Sequence, residues 1–170
     1  MRILITIVAL LVLVGCDRSR ELPDCKDLKS PKDYGKFLVS PTTGLAQHVS
    51  GTVWYRCMAG QSFRGKKCLG DPLDLSLSEA KSYLRDFSQK SGEKWRLPTK
   101  GEFEEILETT CDSPPLNPNV FPGVAVKNFW LIDRPWLENA RFGCSIFLFQ
   151  GSTSCRQAVQ LHQPVLMVRD

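Results

Sequence analysis

The side chains with the widest chemical repertoire in this sequence are its seven cysteines. A thiol can be acylated, oxidised to a disulfide, or used as a nucleophile or metal ligand, and its surroundings decide which. Cys16 follows Leu13-Val14-Gly15 at the end of an apolar run. The other six, Cys25, Cys57, Cys68, Cys111, Cys144 and Cys155, are spread through mixed sequence. One special cysteine and an even remainder predict one modified thiol and a set of disulfides. Cys57 and Cys68 close a short glycine-containing loop, and their spacing suggests a pair. The pairing of Cys25, Cys111, Cys144 and Cys155 stays open, because six cysteines admit many connectivities. No C-x-x-C occurs, and His48 and His162 stand far from closely spaced thiols, so no metal site is expected.

Met1-Arg2 and the apolar run from Ile3 to Val14 have the build of a signal peptide. Twelve helical residues span about 18 Å, well short of the ~30 Å hydrocarbon core of a bilayer. Leu13-Val14-Gly15-Cys16 resembles the lipobox of bacterial lipoproteins, which implies cleavage before Cys16 and acylation of its thiol. Residues 1–15 then form the leader and 16–35 a lipidated N-terminus and polar tether. The expected partner is the membrane itself, held through several acyl chains at about 0.8 kcal/mol per buried CH₂. Asp17 directly after the anchor resembles a retention signal. It favours the periplasm-facing inner membrane over the outer membrane as the place in the cell envelope.

Other chemistries leave little trace. No G-x-S-x-G elbow surrounds any serine, and Glu104, Glu105 and Glu108 have the spacing of a solvated helix face rather than a catalytic carboxylate pair. No catalytic residues and no cofactor are expected, and the protein is read as not an enzyme. The formal net charge of +4 is small and the basic residues are interspersed with acidic ones, which argues against nucleic acid as a partner.

The elements that would carry these groups fit one α+β domain over residues 36–170. Two helices announce themselves by capping boxes, Ser76-x-x-Glu79 and Thr99-x-x-Glu102. The first has an apolar stripe of Leu77, Ala80, Leu84 and Phe87 and a stop at Gly92; the second turns Phe103, Ile106 and Leu107 inward. Short strands are expected at 37–39, 51–55, 128–132, 142–149 and 164–169, with loops over 56–70 and through the proline-rich stretch after Cys111.

Several motifs recur in an order that resembles a known family. Trp54-x-x-Cys57-x-x-Gly60-Gln61-x-x-x-Gly65-x-x-Cys68-x-Gly70 is followed by Trp95-Arg96-Leu97-Pro98-Thr99-x-x-Glu102, then Leu116-Asn117-Pro118, Phe121-Pro122, Phe129-Trp130 and Val165 to Arg169. Together they resemble the DUF1566, or Lcl C-terminal-like, domains. The resemblance implies a C-type-lectin-like fold: a single disulfide-stabilised domain with two helices and short antiparallel strands. The WRLPT..E stretch is also similar to formylglycine-generating enzymes. Those need a reactive cysteine pair, whereas Cys144 and Cys155 are better read as bonded. None of the calcium-site triplets of sugar-binding lectins is present.

The functional expectation is therefore a membrane-anchored lipoprotein presenting a lectin-like binding module for a glycan or an envelope protein. The alternative is a structural subunit of an envelope assembly with no small ligand. Trp136, with Arg134, Glu138 and Asn139 around it, is the candidate contact patch, since an aromatic beside polar groups suits sugar stacking or a protein hot spot. The competing reading is that Trp136 packs under its own loop.

Overall fold

The computed structural model describes residues 22–135 and 141–170. Among the described residues the chain forms three helices, α1 (Cys25–Leu28), α2 (Leu77–Ser91) and α3 (Lys100–Ile106). The two longer ones begin where their caps place them. Ser76 accepts the Glu79 N–H while the Glu79 carboxylate accepts the Ser76 N–H, and Thr99 and Glu102 repeat the exchange. Gly92 ends α2 in the left-handed region, φ 74°, where its N–H donates to Ser88 O.

Five short strands make the central antiparallel sheet: β1 (Phe37–Val39), β2 (Leu45–His48), β3 (Val53–Tyr55), β6 (Trp95–Arg96) and β10 (Val168–Arg169), in the order β1-β2-β3-β10-β6. A hairpin of β4 (Ser62–Arg64) and β5 (Lys67–Leu69) and a three-stranded sheet of β7 (Asn128–Trp130), β8 (Phe142–Phe147) and β9 (Ser152–Ala158) complete the fold.

Strand alternation divides the core in two. Ala46, Trp54 and Val168 lie opposite one another in the register and pack with Phe103 and Ile106 of α3 and with Phe121. Trp95, Leu97 and Met167 pack on the other side with Ala80 and Leu84 of α2. The sheet is thus sandwiched between its two helices. The fold is α+β, a single domain closed by disulfides Cys25–Cys111, Cys57–Cys68 and Cys144–Cys155.

Several elements differ from the sequence expectation. The 56–70 segment is not only loop, because Gly65 and Lys66, both at positive φ, turn it into the β4–β5 hairpin. Strands β2 and β9 were not expected, and the predicted 164–169 strand is ladder only at Val168–Arg169. Residues 16–35 were expected to be tether, and the structure describes them from residue 22. From Asp24 onward this segment is stitched to the domain. Cys25 is bonded to Cys111, Lys29 pairs with Glu108 at 3.0 Å, and the Asn117 and Asn119 amides donate to Asp33 O and Ser30 O. A segment with little apolar content of its own is held by covalent and polar links, together with buried Cys25 and Tyr34 packed against the core.

Candidate functional site

The WRLPT..E stretch sets the geometry of the site. Along β6, Trp95 faces α2 and Arg96 faces α3. Arg96 forks onto Glu102, with Nη1 and Nη2 each 2.8 Å from a carboxylate oxygen, and its Nε reaches Asp170. These contacts, that with Glu102 foremost, raise the Arg96 pKa further and keep it cationic. Burial pushes the Glu102 carboxyl up, but the bonds from Arg96 and Thr99 outweigh it and hold it below the usual carboxylate range. The same stretch receives the segment after β7: Ile132 N–H donates to Pro98 O, and Asp133 Oδ2 accepts the Lys100 N–H.

These links hold the Leu131–Pro135 segment across from α2 and leave a groove of about 800 Å³ between them. That volume falls in the range of small-ligand sites. Trp95, Leu97 and Leu131 form its apolar base, with Phe142 and Ile132 about 40 % exposed beside them. Gly143 lets the walls approach, since a Cβ there would lie 2.9 Å from Leu77 Cδ2 and 3.2 Å from the Trp130 ring. Lys81 and Arg85, one turn apart on α2, supply cations on one rim and Arg134 lies in the opposite wall. The Arg96 charge is already met by Glu102 and Asp170. Among the described residues, no hydroxyl, amide, imidazole or thiol side chain lines the groove. Its chemistry is that of binding an apolar group next to an anion.

A second constellation looks catalytic at first sight. His48 Nδ1 lies 2.8 Å from Ser50 Oγ and 3.5 Å from Glu105 Oε2. A proton relay needs hydroxyl and acid on opposite ring nitrogens. Here both meet the same nitrogen, while Nε2 is buried without a hydrogen bond partner. Burial lowers the His48 pKa against the pull of Glu105, which favours a neutral structural histidine. Among the described residues, no group of three potential ligands is placed to hold a metal ion.

The model for the Lcl C-terminal domain matches residues 45–169. The chain belongs to this family. No curated protein and no solved structure matches it. The Lcl C-terminal domain is not a known enzyme family, and membership points to a surface or binding module. The matched span contains both capping boxes, the Arg96–Glu102 fork and every described residue of the groove, while α1 and β1 precede it. No helix among the described residues is long and apolar enough to cross a membrane.

The residues singled out in the sequence are divided by this structure. Cys57 and Cys68 are bonded, and Cys25–Cys111 and Cys144–Cys155 are pairings that sequence reasoning left open. Arg134 lies in the groove wall. Cys16, the leader, Trp136, Glu138 and Asn139 lie outside the described residues. Sequence reasoning missed Lys81 and Arg85. Their signal was an i,i+4 pair of cations bordering the apolar stripe of α2, which on its own reads as an ordinary solvated face.

Proposed function

We propose that this protein is a lipoprotein of the cell envelope, anchored through acylated Cys16, whose Lcl C-terminal domain is a binding module for a glycan or an envelope protein. The groove between α2 and Leu131–Pro135 is its contact site. The observation that carries this reading is the lining itself: an apolar base with exposed cations on α2, while the one carboxylate in the wall, Asp133, already accepts the Lys100 N–H. A ligand suited to it presents an apolar face and an acidic group, such as an acidic sugar or an acidic segment of a partner protein. The chain order supports a lectin-like arrangement, with the first strands β1–β3 and the last strand β10 sharing one sheet.

Charge reversal on the exposed face of α2 tests this without touching the core, since Lys81 and Arg85 are both exposed. The lipidated protein and a Lys81→Glu/Arg85→Glu variant are compared by crosslinking in cells and on an array of acidic and neutral glycans. Capture of a partner or an acidic glycan by the wild type, weakened by salt and lost in the variant, supports the reading. Binding that survives the double reversal unchanged refutes the groove as the site. A stable partner that binds both forms equally, with an empty array, favours a structural subunit instead.

A further inference from the structure

We propose that the tip of the β8–β9 hairpin is a second membrane contact, with Phe147 and Phe149 resting in the headgroup boundary of the bilayer that holds Cys16. This deepens the proposed function and rests on lipidation of Cys16. Along the tip, Leu148 is fully buried, while Phe147 and Phe149 on either side are 37 % and 47 % exposed. Their rings stack on each other, centroids 6.1 Å apart. Residue alternation thus sends one side chain into the core and two aromatic rings outward. The tip is firmly held. Gly151 N–H donates to Phe147 O, and Gly151 sits so close to Leu107 that a Cβ would lie 2.5 Å from Leu107 Cδ1.

The position of this tip selects the occupant. Ser113 N–H donates to Phe149 O, Asp112 forms a parallel bridge with Asp24, and Cys111 is bonded to Cys25. The rings therefore extend from the same strip of chain that receives the N-terminal segment. Summing one Cα step and two paired-residue spacings puts Phe149 within roughly 15 Å of Asp24. Eight Cα steps lead from Cys16 to Asp24 in the sequence, and fully extended they reach about 28 Å at most. Leu28, 48 % exposed on α1, adds apolar surface near the junction. A short leash fixed beside two outward-facing aromatic rings brings those rings to the lipid, where aromatic and aliphatic side chains settle about 5–10 Å into the headgroup boundary.

The test uses the full lipidated protein in vesicles of phosphatidylethanolamine and phosphatidylglycerol, some carrying bromine on the acyl chain near the headgroup. Phe149→Trp reports the tip. Leu161→Trp, 48 % exposed just past the opposite end of the β8–β9 ladder, is the control. After subtraction of the native tryptophan signal, bromolipid should quench the tip reporter at least roughly two-fold more than the control. Equal quenching of both reporters, in protein that floats with the vesicles, overturns the tip contact and leaves the anchor intact. A tip shielded by a second copy, seen as concentration-dependent crosslinking with no quenching, overturns it as well. Failure to float removes the anchor and the tip contact together. A Phe147→Ser/Phe149→Ser variant should float and melt like the wild type, because both rings lie outside the core.

Discussion

Truncating Glu102 is the sharpest test of how WRLPT..E holds this domain together. The carboxylate accepts two bonds from Arg96 at 2.8 Å and the Thr99 N–H at 2.7 Å, and its side chain is 16 % exposed, that of Arg96 28 %. Loss of a capping box half costs about 1 kcal/mol. Breaking a fully buried ion pair costs about 3–5 kcal/mol and an exposed one about 0–1 kcal/mol, so this half-buried fork contributes about 2 kcal/mol. Glu102→Ala should therefore cost about 3 kcal/mol, a Tm drop of roughly 6–12 °C for a domain of this size. Glu102→Gln keeps a capping oxygen and should lose about half as much. The pH dependence supplies a separate check. Because the folded Glu102 pKa lies below its unfolded value, its contribution is complete above the unfolded carboxyl range and is lost as pH falls through the folded value. Thermal melts with disulfides intact, run down through that acid range, should show a shallower decline for Glu102→Gln than for wild type. A loss below about 1 kcal/mol in Glu102→Ala, or equal acid slopes, would refute the reasoning.

Two further perturbations separate covalent from conformational constraint. The Cys25–Cys111 bridge spans 86 residues and Cys57–Cys68 spans 11. In the chain-entropy model they are worth about 4.6 and about 2.8 kcal/mol. Denaturant melts of the paired Cys→Ser variants should rank in that order, and the reverse ranking would show that Cys25–Cys111 only tethers a segment already loose. Gly44 sits at φ 71°, and a Cβ there would lie 2.5 Å from Phe63 Cβ, an atom fixed to backbone. Gly44→Ala should cost about 1–3 kcal/mol in the same assay. An unchanged midpoint would mean the β4–β5 hairpin is free to move away from β2.

Much of the scaffold was legible because its signals are local. Ser76, Glu79, Thr99 and Glu102 define two helix starts through contacts made within four residues, and Gly92 marks a stop by its own backbone freedom. The β4–β5 hairpin was hidden because its turn, Gly65-Lys66, needs positive φ at a lysine, a conformation that sequence pattern does not announce. β2 and the short extents of β6 and β10 were hard to read because two to four residues leave no periodicity to count. They are strands because neighbours from distant parts of the chain supply their hydrogen bonds.

Residue types alone established that six cysteines suit disulfides, that α2 and α3 are capped amphipathic helices, and that the ordered motifs resemble one family. All of these depend on residues close in sequence or on composition. Only the tertiary structure decided the Cys25–Cys111 and Cys144–Cys155 partners, the fork of Arg96 onto Glu102 and Asp170, and the facing of Lys81 and Arg85 toward Arg134 across a groove. Each of these joins groups far apart in the chain, or sets one face of an element against another. Such pairings are chosen by the packing of the sheet between its helices, which no local pattern encodes.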